Sequence, residues 1–396
     1  MKSVAAAVAL LIAPSVMAEP AAPDAQARFL AGLPVTGSSL ESLSSEASWQ
    51  QHAREFTKAW QDVDKRQLSK IAEWMPRVAP FAYDDTAPLF YLFSGPDFLY
   101  AHAYFPSAST TIMCGIEPVG SLPDVGALTP EQRAGSLQNL RKSISDSLDF
   151  SFFRTKAMKE DFQNTALNGT TPVLYLFLAH ANCRLTTVEK VWVDAAGDIQ
   201  TQQSPQAKTP GVRIDYVAPN GKNQTMYYFS SDLSNEGIKN SPGFMAFCNK
   251  QGMGNGFAKA ASYLMHMSEF SKARDFLLTR TKTMIQDDSG IPYRNFKDAG
   301  WNVTTAGHYV GPIDLFKERY QADLHDLFKS QPTIELPFSA GYRWRPNESS
   351  LMIGRLPQDH EIPKAVRAPV SDTPPAPAPA PAPPAPTVPK AVPVEG

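Results

Sequence analysis

Apolar positions along the chain follow two periods, and the change from one to the other marks its organisation. Trp49, Ala53, Phe56, Trp60 and Val63 recur at steps of four and three, with Leu68, Ile71 and Trp74 continuing the stripe. This spacing predicts a helical segment that packs one aromatic-rich face inward and stops at Pro76. Residues 90–93 are then a short run without a polar position, the signature of a strand buried on both faces. Ser94-Gly95-Pro96-Asp97 interrupts it before helical spacing returns, with Pro96 at the first helical position and Ser94 or Gly95 as the cap. Residues 110–116 supply the next strand, so residues 90–120 read as strand, tight turn, helix and strand.

Downstream, Thr129-Pro130-Glu131-Gln132 forms a capping box, and Leu137, Leu140, Ile144 and Leu148 mark the apolar face of a crossover helix feeding a strand at residues 172–178. Strand pairs follow: residues 188–193 against Ile199, and residues 212–218 turning at Asn220-Gly221 into residues 224–229, a strong hairpin signal. The Gly-rich bend at residues 252–256 is expected to be a hinge opening a helix over residues 257–267, because it lacks the Lys-Ser/Thr of a phosphate-binding loop. A further helix near residues 270–278 leads to a strand ending in Asp287-Asp288-Ser289-Gly290; a strand at residues 301–310 and an amphipathic helix at residues 313–328 complete the pattern. The expected fold class is α/β: a Rossmann-like central sheet with a β-hairpin extension, an N-terminal helical segment and a disordered Pro/Ala-rich C-terminal tail. The expected divisions are a signal peptide at 1–18, a linker and helical segment at 19–80, an α/β domain at 81–355 and the tail at 356–396.

Candidate chemistry sits at the ends of the expected strands. In a mostly parallel sheet, ligands bind beyond the carboxyl ends of the strands, and that edge would gather Asp97, Glu117, Asp232 and Asp287 or Asp288. A turn at a helix N-terminus suits a polar or anionic group, and a carboxylate some way further on suits hydroxyls. Ser94, Gly95, Asp97, Glu117 and Asp232 are therefore the candidate ligand-binding residues, and Asp97, Glu117, Asp287 and Asp288 the candidate catalytic carboxylates. An acidic cluster of this kind holds a hard cation or polarises a sugar or amine. The plainer reading of Asp287-Asp288-Ser289-Gly290 is turn chemistry, with side-chain oxygens capping their own backbone.

Residues 90–117 resemble the opening βαβ of Rossmann-like proteins, most closely the first half of class I methyltransferases. In that family a Gly-rich turn follows strand one and an acid ends strand two, places held here by Gly95 and Glu117. The resemblance implies a Rossmann-like sheet, an adenosylmethionine site and a role for Glu117 on ribose hydroxyls. It covers this stretch alone, and the turn carries one glycine where the family has several.

Composition narrows the function. The chain has 396 residues, 43% hydrophobic and 10% aromatic, enough for a substantial core. A net charge of −2 supplies no basic field, so nucleic acid is not an expected partner. Lys2, the apolar residues 4–13 and the small-residue ending Val16-Met17-Ala18 read as a cleaved secretory signal, which makes the expected location periplasmic or secreted. No later apolar run is long enough to span a bilayer. Cys114, Cys183 and Cys248 are an odd number, allowing one internal disulfide at most. The seven histidines show no metal-ligating spacing, so no metal site is assigned; His180 and His308 each close a strand-like run. Residues 373–393 are nearly all Pro, Ala and Val, a composition that favours an extended polyproline II spacer rising about 3.1 Å per residue.

With no complete catalytic constellation and no motif that names a cofactor, the expected function is non-enzymatic binding or scaffolding by an exported bacterial envelope protein. Its expected partners are a small-molecule ligand, and an envelope protein or cell-wall component met by the tail. The alternative is an enzyme at the strand-end acidic pocket, either methyltransferase-like or an acid-assisted or metal-dependent hydrolase.

Overall fold

Strands that lack polar positions need cover on both faces, and the chain supplies it with helices drawn from both ends. A computed structural model describes residues 21–150 and 166–357, for residues 145–150 in backbone only. The signal peptide and almost all of the expected tail lie outside the described residues. Ten strands form one mixed sheet: β1 Leu89–Tyr91, β2 Thr110–Gly115, β3 Arg184–Asp194, β4 Ile199–Gln200, β5 Ala207–Val217, β6 Asn223–Ser230, β7 Gly254–Ala258, β8 Thr281–Gln286, β9 Asn302–Gly307 and β10 Ser350–Arg355. Their order is β4-β3-β5-β6-β2-β1-β7-β8-β10-β9. The middle five, β6-β2-β1-β7-β8, are parallel. The flanks are antiparallel: β5 pairs with β6 across the Asn220-Gly221 turn and β3 pairs with β5 and β4, while β10 lies between β8 and β9.

The helices are α1 Pro23–Leu30, α2 Ala47–Val63, α3 Ser69–Val78, α4 Pro80–Tyr83, α5 Phe98–Tyr104, α6 Pro130–Phe150, α7 Thr171–His180, α8 Asn235–Asn240, α9 Gly243–Lys250, α10 Ser271–Arg280, α11 Tyr293–Asp298 and α12 Ala322–Ser330. Alternation along the central strands divides the core. Leu89, Tyr91 and Met113 share one cluster with apolar residues of α1, α2, α3, α5, α6 and α7. Phe90, Ile112 and Cys114 face the other way, into a cluster with α9, α10 and α11. Among the described residues no helix is long and apolar enough to cross a membrane, and all three cysteines are free and buried.

Several sequence expectations hold in detail. The capping box closes as expected: Gln132 N–H donates to Thr129 Oγ1 at 3.3 Å and Thr129 N–H to Gln132 Oε1 at 3.0 Å. The aromatic stripe packs on the core, with Ala53, Trp60 and Leu68 partly buried and the rest buried, and its one irregular step, five residues from Val63 to Leu68, coincides with a π-helical turn at Asp64–Leu68 that keeps Ile71 and Trp74 on the inner face.

Other expectations are overturned. Pro76 does not stop α3; it lies in the last turn, where it removes one amide and two residues complete the helix. The cap of α5 is Asp97, not Ser94 or Gly95, and accepts the Tyr100 N–H at 3.4 Å. Residues 172–178 are not a strand but most of α7, buried from Thr171 to Ala179. A short run apolar on every side reads alike for a buried helix and a buried strand. The segment expected as hinge and helix is instead the central strand β7, followed by an irregular turn. Its glycines answer to close packing: a Cβ on Gly254 would lie 2.3 Å from the Pro88 carbonyl oxygen, and one on Gly256 2.4 Å from Met284 Sδ. The strand expected at residues 301–310 ends at Gly307, and the helix expected over residues 313–328 divides into a 3-10 segment at Asp314–Arg319 and α12. Strand β10 is not foreseen.

Candidate functional site

The carboxyl ends of β1, β2, β6 and β7 open into a cavity of about 680 Å³. Four turns build its wall: Tyr91 to Gly95 and Asp97 after β1, Gly115 to Glu117 at β2, Ser231 to Leu233 after β6, and Lys259 to Ser262 after β7; Leu264, Phe270 and Tyr342 complete it. All five candidate ligand-binding residues, Ser94, Gly95, Asp97, Glu117 and Asp232, line this space. Asp287 and Asp288 follow β8 at the same edge and do not line the cavity.

On the β1 and β7 side the polar groups are tied to one another. Lys259 Nζ lies 2.8 Å from Asp97 Oδ2, and the Tyr91 hydroxyl donates to the same oxygen at 2.9 Å. The ammonium also sits 3.4 Å from the centre of the Tyr100 ring, a cation–π contact. Burial pushes the Asp97 carboxyl up and the Lys259 ammonium down from their ordinary values, and the attraction between them works against both shifts. Lys259 and, beside Glu117, Tyr228 are not foreseen; the only sequence signal of Lys259 is a lone cation closing the run Gly254-Asn255-Gly256-Phe257-Ala258. The Ser94 hydroxyl is also engaged, facing the Gly95 carbonyl at 2.6 Å and the Cys114 carbonyl at 3.2 Å while accepting the Cys114 N–H at 3.3 Å.

Behind Lys259 the backbone is strained. Ala260, Ser262 and Tyr263 have φ of +50°, +52° and +54°, conformations that L residues adopt at a cost. Asp287 Oδ2 accepts the Ala260 N–H at 2.9 Å, Ser289 Oγ the Ala261 N–H at 2.7 Å, and the Tyr342 hydroxyl the Ser262 N–H at 3.1 Å while donating to the Ala260 carbonyl at 2.8 Å. Asp288 Oδ2 accepts from the Tyr263 hydroxyl at 2.6 Å. Burial raises both carboxyls, and the neighbouring Asp287 charge raises Asp288 further. The paired acids therefore hold the turn that presents Lys259. Asp287 also caps Ser289 N–H at 3.0 Å, the turn chemistry its sequence suggests.

Asp232 is exposed and caps its own turn, accepting the Ser234 N–H at 2.8 Å and hydroxyl at 3.0 Å. Glu117 differs from every other acid at this edge. It is 3% exposed, and its donor is the Tyr228 hydroxyl, 3.2 Å from Oε2 and 3.0 Å from the Glu117 carbonyl oxygen. Among the described residues no cation pairs with it. Its carboxylate lies over two glycines: a Cβ on Gly115 would fall 2.1 Å from Oε2, and one on Gly95, where φ is +53°, 3.3 Å from Oε1.

Among the described residues no three His, Cys, Asp or Glu side chains gather as a metal site. Comparison of the chain with protein-family models, curated proteins and solved structures returns no match.

Proposed function

We propose that this is an exported envelope protein that binds a small molecule in the strand-end cavity without transforming it. The observation that carries this reading is a cavity of about 680 Å³ whose charged side chains, Glu117 apart, are already engaged within the protein. The strand order supports a Rossmann-like reading of the sheet: β1 leads to β2 on one side and β7 leads to β8 on the other, and ligands of such sheets bind where the direction reverses. Acid-assisted hydrolysis has less support, because it needs a second carboxylate free beside the first. Asp97 is held by Lys259 and Tyr91, and Asp287 by the Ala260 N–H of a neighbouring turn and the Ser289 N–H and hydroxyl of its own.

A thermal-shift screen of the full chain against nucleosides, adenosylmethionine, sugars, amines and divalent cations tests the reading. A ligand at a hundred times its Kd stabilises by about 2.7 kcal/mol, and that shift should vanish in Ser231→Trp, which fills the cavity. Mass spectrometry of the recovered ligand should return it unchanged. A converted compound would favour the enzymatic alternative, and a shift that survives Ser231→Trp would move the binding site elsewhere.

A further inference from the structure

The reading of the strand-end cavity as a ligand site leaves the ligand's class open, and Glu117 narrows it. Three carboxylates line the cavity, those of Asp97, Glu117 and Asp232, against one ammonium, that of Lys259, which is already paired with Asp97. The Tyr228 hydroxyl has one proton and stands within reach of both the Glu117 carbonyl and its carboxylate, so the carboxylate receives at most a shared hydrogen bond. A buried carboxylate without a cation is unfavourable, and a positive group arriving from the cavity relieves it. The surroundings select the kind of cation. One carboxylate, with no cluster of metal-ligating side chains around it among the described residues, makes a poor cage for a hard metal ion. The half-buried rings of Phe93 and Phe270, edge to face at 5.9 Å between centres, instead offer aromatic surface, continued at the rim by Ile116, which is 67% exposed. Aromatic faces attract weakly hydrated organic cations.

We propose that the cavity takes an organic cation, an ammonium or guanidinium group on an apolar body, with its charge against Glu117 and its body against Phe93 and Phe270. The inference rests on the ligand-binding reading above, and its test separates the two. Calorimetric titration of the full chain with benzylammonium, benzyl alcohol and benzoate holds the body constant and varies only the charge. Benzylammonium should bind at least tenfold more tightly than benzyl alcohol, with benzoate weakest, and the preference should shrink as salt rises. Glu117→Gln should remove the tenfold preference, while Phe270→Ala should weaken the ammonium and the alcohol alike. Alcohol or benzoate binding as well as the ammonium, in a manner sensitive to Phe270→Ala, would overturn the cation and leave the cavity as a binding site. Ammonium binding unchanged in Glu117→Gln would overturn the role of Glu117, and no binding by any probe at millimolar concentration would overturn both readings. Should the Glu117 variant not fold, the charge preference and salt dependence of the native chain decide alone.

Discussion

Two acids stand at neighbouring strand ends on the same cavity, equally buried, and the protein treats them in opposite ways. Asp97, after β1, is 2% exposed and carries an ammonium, a phenol and a helix N-terminus on its two oxygens. Glu117, after β2, is 3% exposed and carries part of one phenol. Burial alone therefore does not separate the two acids; the count of partners does. A carboxylate whose donors are all internal stabilises the fold only while every partner remains, whereas one left short of donors weakens the unliganded protein and gives that energy back on binding.

Removing one partner on the Asp97 side is the most severe way to break this comparison. Lys259→Met should cost about 3–5 kcal/mol in urea unfolding, because Asp97 is left buried without its cation, and the double variant Asp97→Asn/Lys259→Met should recover much of that loss. Equal losses in the single and double variants would mean that the pair is not coupled. Next, Asp287→Ala removes the acceptor for the Ala260 and Ser289 amides and frees a strained turn. A loss of about 2–3 kcal/mol is expected from the orphaned donors; unchanged stability with lost ligand binding would instead place Asp287 in the binding machinery.

An acid titration asks whether the cavity or the helical layer sets the pH response. Among the described residues no histidine lines the cavity, while His52, packed on Phe56 and bonded through Nε2 to the Leu30 carbonyl at 2.8 Å, is lowered by burial to about 4. Its folded value lies below its unfolded one, so its contribution is intact above pH 6.5 and is lost as pH falls toward 4. Between pH 7 and 5 the native chain should lose roughly 2 kcal/mol more than His52→Gln; identical curves would remove His52 from the account. The smallest effect is expected on the other side of the comparison. Glu117→Gln keeps the shape and an acceptor for Tyr228 while removing an unpaired charge, so the unliganded protein should be unchanged or gain up to about 1 kcal/mol. A loss like that of Lys259→Met would make Glu117 a structural acid after all.

The strand-turn-helix-strand unit at residues 90–120, the Asn220-Gly221 hairpin, the capping box at Thr129 and the aromatic stripe of α2 and α3 were legible from the residues, because each is set by neighbours a few positions apart: a turn that demands glycine, a side chain that reaches its own backbone, a stripe that repeats every turn. The five acids at this strand-end edge were legible for the same reason, as turn residues near the ends of apolar runs, although only Asp97, Glu117 and Asp232 line the cavity. What failed was whatever depends on surroundings. The apolar residues of α7 could as well have been a strand, since a segment enclosed by protein needs no polar face to reveal its period. Strand β7 looked like a hinge because its glycines answer to Pro88 and Met284, distant in sequence, that leave no room for a Cβ. Lys259 had no local motif, since its role comes from the approach of β7 to β1, which brings its ammonium to Asp97 and Tyr100. The sequence by itself thus determined where the chain turns and which acids end its strands. Only the tertiary structure decided which of those acids were given partners, because pairing a buried charge requires a group from another strand, and strand order is not a local property.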